Sequence, residues 1–403
     1  MNPVLKYSKI AQYMGYLVVF FFLEPPVLQF FPQLGIVSSL FSAARYGLSL
    51  CLMVHFIAKP PKTGRQIYVL CGIMQAICVL AAYMNGSFYA MFMLSCVTKF
   101  AFLYANIMLF LKLRDKFLWM YVKLLGVYMF LHMALQLVKP SGLFGSGDMR
   151  VWFLGYKNTV TLYVLVFMML AVLLYQIGSM KKKRMYQLLL FADIAAVINM
   201  SSTTLAVAFL FSAYIFVYYT SWRTFLRIFN FKVIFIALCI FFVVFVYSAK
   251  ESEFTAWIGG IFGKGATFSG RTAIWEMAVD YFLEDVYWGA GIDIEFAPWS
   301  NPNRIVYSAH NSILEFLSKY GIFAGMMFMV ICVMVFIRCM NIKDVPVSRS
   351  LTVVFLLFFL ASLFEAQGNN YLFWVIAAMP YCFGMRKKFS VCLDNTLYSA
   401  QST

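Results

Sequence analysis

The chain has 403 residues, of which 63% are hydrophobic and 12% charged, with a formal net charge of +16 at pH 7 and a mean hydropathy of +0.81. This composition lies far outside the range of soluble globular domains and describes a helical protein that crosses a membrane many times. The positive charge calls for no nucleic-acid partner, because basic residues on cytoplasmic loops are expected to face anionic lipid headgroups.

Apolar runs able to cross about 30 Å of hydrocarbon, roughly 20 helical residues, recur along the whole chain. They predict twelve spans, at 10–23, 34–57, 66–84, 88–111, 117–138, 159–178, 185–200, 205–220, 232–248, 312–337, 351–366 and 370–385, with both helices of 185–220 short. Threading them from an inside N-terminus leaves 21 of the 32 Lys and Arg residues in the cytoplasm, seven outside and four within spans. Such a bias sets orientation, so both termini are expected inside. The first span lacks a small-residue cleavage site and is expected to remain as the first helix. None of the nine cysteines falls in an expected outer loop, which argues against disulfides. No internal repeat is visible, which weakens the reading of an inverted-repeat transporter. The expected architecture is a single all-α polytopic membrane domain over 1–403. It carries one large extracytoplasmic loop, 249–311, with short amphipathic helices in it.

Polar residues inside spans are costly and usually face a cavity or a partner. Arg45, Lys99, Asp193 and Glu365 are the ones to follow. Pairing of Arg45 or Lys99 with Asp193 or Glu365 is the plainer account, and a cavity for an anionic lipid headgroup is the sharper one. At the outer end of the seventh and eighth spans, Ser201 and Thr203 within Ser201-Ser-Thr-Thr204 offer hydroxyls to a sugar or phosphate, or simply form a turn.

Half of the 16 acidic residues fall between 251 and 295. There, Thr272 to Val286 reads as an amphipathic helix with Ile274, Met277, Ala278, Tyr281 and Phe282 on one side and Glu276, Asp280 and Glu284 on the other. Ser269 is its expected cap, and Gly289-Ala-Gly291 its end. It reads as a helix lying on the membrane surface, or as both that and the roof of a site. Arg271 is a cation at a helix start, where the dipole is unfavourable unless an anion joins it. Guanidinium and free N–H groups together suit a diphosphate; a salt bridge to Glu251, Glu253 or another loop acid is the structural alternative. Asp293-Ile-Glu295 is too sparse for a metal site, so no metal is assigned and no cofactor is expected.

Of three histidines, His55, His132 and His310, only His310 combines an outer position with a helix start. With Ser308 as N-cap it takes the second helical position and Asn311 the third, where the dipole disfavours the imidazolium and suits the ring to act as a general base. A structural histidine is the more common case.

Ser269-Gly-Arg-Thr-Ala-Ile-Trp275, Gly289-Ala-Gly291, Ala309-His-Asn-Ser-Ile-Leu314 with Tyr320-Gly321, and the earlier Gly155-Tyr-Lys-Asn158 stand in an order that resembles the O-antigen polymerase and ligase superfamily. The resemblance implies a metal-independent, inverting glycosyltransferase of GT-C type that takes a glycan from undecaprenyl diphosphate at the outer membrane face and joins it to an acceptor hydroxyl. By that resemblance His310 deprotonates the acceptor, Arg271 neutralises the departing diphosphate, and Asn311 orients the histidine or the donor. Many relatives carry a second arginine after the serine at the outer turn before the eighth span. Here that turn is Ser201-Ser-Thr-Thr204, so Lys157, Arg45 or Lys99 must supply any second cation. The implied partners are the lipid-linked glycan donor, an acceptor glycan and the bilayer, with a chain-length regulator as a candidate. Polymerase is the favoured activity, ligase the near alternative, and a polysaccharide flippase or transporter the alternative from another class.

Overall fold

The computed structural model describes residues 3–144, 150–220, 230–247, 271–296 and 307–384. They form α1 (Pro3–Phe22), α2 (Gly35–Ala58), α3 (Arg65–Met84), α4 (Ala90–Leu113), α5 (Asp115–Val138), an antiparallel hairpin of β1 (Val151–Trp152) and β2 (Gly155–Tyr156), α6 (Val160–Gln176), α7 (Lys182–Asn199), α8 (Ser202–Tyr218) and α9 (Phe231–Tyr247). The remaining helices are α10 (Arg271–Glu284), α11 (Ser312–Met340), α12 (Val345–Ser362) and α13 (Tyr371–Phe383). Each expected span overlaps one helix, and α10 is the amphipathic helix expected between α9 and α11. Six helices, α2, α3, α4, α5, α11 and α12, are long and apolar enough to cross a membrane, and shorter apolar stretches of 10–17 residues occupy α1, α6, α8, α9 and α13. In α7, Lys182, Lys183, Arg184 and Asp193 dilute the apolar character.

Burial separates the rim of the bundle from its centre. Helix α2 exposes Ile36, Leu40, Leu50, Val54 and Ile57, and α9 exposes Val233, Ile236, Ile240 and Val243; apolar surface on this scale belongs in lipid. Helix α6 is apolar on every side, buries all of its residues but Tyr175, and packs on α5, α7, α8 and α12. A helix of that kind sits in the middle of a bundle. Helix α13 packs on α4, and α11 on α3, α10 and α12.

Two glycines dock the segment that follows α10 onto this frame. Gly321 adopts φ 74° and breaks α11 into a short leading segment and a long span. A Cβ at Gly321 would collide with the Tyr287 carbonyl, and one at Gly289 (φ 72°) would lie 2.7 Å from the Ser318 oxygen. The backbones touch directly, with Ala290 N donating to Ser318 O at 2.7 Å and Ile322 N to Val286 O at 2.8 Å. Only a residue without a side chain permits both the approach and the left-handed turn. So anchored, α10 lies against protein: Ile274, Trp275 and Ala278 form a small second core with Phe296, Ala309 and Leu314. The expected face is corrected in one respect, since Trp275 is fully buried at its centre while Phe282 is half-buried. Ser269, Glu251 and Glu253 lie outside the described residues.

Candidate active site

The segment between α12 and α13 carries the polar run Glu365-Ala-Gln-Gly-Asn-Asn370. Gln367 N donates to Glu365 O at 2.8 Å and Asn370 N to Gln367 O at 3.1 Å, which folds the run into consecutive turns. Asn370 Oδ1 accepts from Leu372 N at 2.9 Å and caps α13. The start of α11 grips this loop. The Ser312 hydroxyl donates to Glu365 O at 3.1 Å and accepts from Gln367 N and Gly368 N at 2.8 and 2.9 Å. On its far side the loop reaches into the bundle, where Tyr371 Oη meets Thr98 Oγ1 at 2.6 Å and Lys99 Nζ donates to Asn369 Oδ1 at 2.5 Å. Thr98 lies about 12 Å along α4 from Ala90, at 1.5 Å per residue. The loop is therefore recessed within the helical frame.

Arg271 and His310 converge on one carboxylate in this loop. Glu365 is 5% exposed. Its Oε1 accepts from Arg271 Nη2 and its Oε2 faces His310 Nδ1 at 3.3 Å, while Arg271 Nη1 donates to the Phe364 carbonyl at 2.5 Å. Among the described residues two of the five guanidinium N–H groups have partners, Glu365 and the Phe364 carbonyl. With Nδ1 turned to a carboxylate, the neutral ring carries its proton there and presents Nε2 as the acceptor. The His310 side chain is 29% exposed, against 6% for Glu365, so the carboxylate is enclosed and the ring reaches outward.

The local geometry corrects the expected helix start. The N-cap of α11 is Asn311, whose Oδ1 accepts from Ile313 N and Leu314 N at 2.9 and 3.0 Å. His310 precedes the cap with φ 49°, so it lies outside the first turn, and its orientation comes from Glu365. Ser308 Oγ accepts instead from His310 N at 3.2 Å. Asn311 is fully buried and its Nδ2 donates to Leu363 O at 3.0 Å, which commits the amide to holding the two segments together. Preceding residues are stapled to α11 by a buried pair: Lys319 Nζ lies 2.7 Å from Glu315 Oε1 and donates to Tyr307 O at 2.7 Å, while Glu315 Oε2 accepts from Ala309 N at 2.7 Å. His310 is held on both sides.

The expected ion pairs inside the spans are also corrected. Arg45 bonds Glu24 Oε2 at 3.2 Å and Ser42 Oγ at 3.1 Å, with its guanidinium 5.7 Å from the Tyr371 ring centre. Asp193 accepts from Ser212 Oγ at 2.8 Å, between α7 and α8. Among the described residues neither cation pairs with Asp193 or Glu365, and Arg271 pairs with Glu365. Ser201 caps α8 and donates to Asn158 Oδ1 at 3.0 Å, and Asn158 O accepts from Gln367 Nε2 at 3.4 Å, so this turn reaches the central loop through Asn158. Thr203 is half-buried beside it. Lys157 offers its carbonyl to Asn199 Nδ2 at 2.6 Å. His132 accepts from Leu154 N at 3.0 Å and bonds Asn199 Oδ1 at 3.2 Å, a structural role between span and hairpin.

Sequence reasoning missed Glu24, Ser312, Gln367 and Asn369. The signal was the polar density of 365–370, hidden by counting Glu365 as the end of a span. Among the described residues no three His, Cys, Asp or Glu side chains gather as a cation site.

Residues 186–329 match the family model described as O-antigen ligase. The matched segment contains Arg271 and His310, while Glu365 and Lys99 lie outside it. No curated protein matches the chain.

Proposed function

We propose, from the premise that this chain belongs to the O-antigen polymerase and ligase superfamily by its segment 186–329, that it is a glycosyltransferase extending a polyprenyl-diphosphate-linked glycan at the outer face of a membrane. In this reading the protein has twelve spans and inward termini, and α10 and the start of α11 form the outer part of the site. The observation that carries it is the convergence of Arg271 and His310 on Glu365.

The acceptor hydroxyl attacks the anomeric carbon of the donor. As the new C–O bond forms, the bond from that carbon to the diphosphate breaks, and His310 Nε2 takes the hydroxyl proton. Glu365 keeps the proton on Nδ1 and stabilises the imidazolium that results, which is the service a carboxylate gives to a histidine base. The diphosphate leaves as an anion and needs no proton. The guanidinium N–H groups of Arg271 that face away from Glu365 meet the charge that builds on it, in a site partly shut off from water. Asn311, Ser312 and Ser201 set the geometry without touching substrate.

Polymerase is the reading we favour, as the turn at Ser201–Thr204 is poor in charge; transfer to a different acceptor, ligation, is favoured by the description of the matched family. Purified protein given a lipid-linked repeat unit as its only substrate separates them, because a ladder of lengthening products requires polymerisation and no product is expected of a ligase lacking its acceptor. A transporter differs again. It predicts that His310→Ala preserves function, whereas base-assisted transfer predicts a rate lower by roughly 10²–10⁴-fold.

A further inference from the structure

We infer that Lys99 binds the donor's diphosphate as a second cation beside Arg271, an inference that rests on the donor reading above. Among the described residues three cationic side chains near this loop and its supporting helices have a carboxylate: Arg45 has Glu24, Arg271 has Glu365 and Lys319 has Glu315. Lys99 is 7% exposed, and its one hydrogen bond among the described residues goes to the neutral amide oxygen of Asn369. An ammonium held this far from water without a counter-charge is a costly arrangement, and in membrane proteins it marks a ligand or ion path.

Charge counting at the neighbouring centre gives the ligand. Arg271 is already balanced by Glu365, so with a neutral imidazole the Arg271–Glu365–His310 cluster has no net charge to offer. A diphosphate ester brings about two negative charges into that setting, and Glu365 repels it. One further fixed cation is required nearby. Asn369 is four residues from Glu365, at most about 15 Å of chain even when extended. The turns and the Ser312 grip make the actual separation shorter. Helical side chains lean toward the helix N-terminus, and for α4 that end adjoins the turn at 85–89, which bonds the outer loop through Asn85 and Trp288 at 2.9 Å. The ammonium thus leans from within the bundle toward the segment that carries Glu365. Arg45 is less suited, since Glu24 already neutralises it.

The test is binding of a short-chain polyprenyl diphosphate, and of the matching monophosphate, to purified full-length protein in nanodiscs. Lys99→Gln is expected to weaken diphosphate binding by roughly 10- to 100-fold, the scale of one charge-assisted contact, and monophosphate binding by less. Lys99→Arg is expected to retain most of the affinity. Asn369→Asp is the sharper variant: it keeps the hydrogen bond and supplies the missing carboxylate, so it should weaken diphosphate binding as much as Lys99→Gln does. If Lys99 serves only to fasten the loop, Asn369→Asp binds the diphosphate as tightly as wild type, and the inference is overturned. Thermal unfolding runs alongside, with Lys99→Gln expected to melt at or above wild type because an uncompensated charge is removed; should it not fold, Asn369→Asp decides. Loss of binding in Arg271→Gln with none in the Lys99 and Asn369 variants removes the Lys99 role alone. A wild-type protein that binds no polyprenyl diphosphate removes both this inference and the donor reading beneath it.

Discussion

Replacing Glu365 with Gln keeps the shape of the side chain and removes its charge, at a position where two proposed reacting groups depend on that charge. The Gln oxygen still accepts from Arg271, as Glu365 Oε1 does now. Its NH₂ then faces His310 Nδ1 across 3.3 Å, where the carboxylate stood. A donor there makes Nδ1 the acceptor, so the ring proton moves to Nε2 and the outward nitrogen can no longer take a proton. The upper bound on the effect is the whole of base assistance, roughly 10²–10⁴-fold. That equals about 3–5 kcal/mol of barrier at 1.36 kcal/mol per decade. Weakening the charge-assisted contact with Arg271 costs about 1–2 kcal/mol of stability besides. Initial rates of elongation from purified donor, with donor binding measured on the same preparation, separate the two effects: kcat falls while donor affinity holds or rises, because the carboxylate that repels the diphosphate is gone. A Glu365→Gln enzyme within about threefold of wild type, less than 1 kcal/mol of barrier, refutes the orienting role.

Three further outcomes follow from the geometry. Arg45→Met breaks the pair with Glu24 and leaves a carboxylate that is 3% exposed, so it should lower unfolding stability by about 3 kcal/mol. Adding Glu24→Gln should restore part of that, and a transfer defect in Arg45→Met at unchanged stability contradicts the structural role. Gly289→Ala places a Cβ 2.7 Å from the Ser318 carbonyl at φ 72° and should cost about 2–4 kcal/mol, read as faster amide exchange across 271–284; unchanged exchange contradicts the docking. Asn311→Ala removes a cap and strands the buried Leu363 carbonyl, with an expected loss of about 2–4 kcal/mol in chemical unfolding. A loss under 1 kcal/mol speaks against that.

Helices were legible where the physics is local. A run of about 20 apolar residues has few fates other than a helix in or beside lipid, and each of the expected runs overlaps an observed helix, with α10 read from its own periodicity. The glycines at 289 and 321 were visible as punctuation, but their task, two backbones in contact between the end of α10 and the break in α11, belongs to tertiary structure. The start of α11 was misassigned because Ser308 and Asn311 are both good caps three residues apart. Asn311 wins because its amide also reaches Leu363, 52 residues away. The same distance problem hid the partners of the cations. Arg45 is satisfied across the turn between α1 and α2 by Glu24, and Glu365 is claimed by Arg271 from 94 positions away. Sequence alone named Arg271, His310, Lys99 and Glu365 separately, and the fold brings the first two and the last together.

The most direct measurement is a cryo-EM structure of the protein with a non-transferable polyprenyl-diphosphate sugar. The account predicts diphosphate oxygens within about 3 Å of the Arg271 guanidinium and the anomeric carbon presented toward His310 Nε2, with room between them for one hydroxyl. A headgroup seated away from Glu365, with Arg271 and His310 closed on that carboxylate and no space for a sugar, contradicts it.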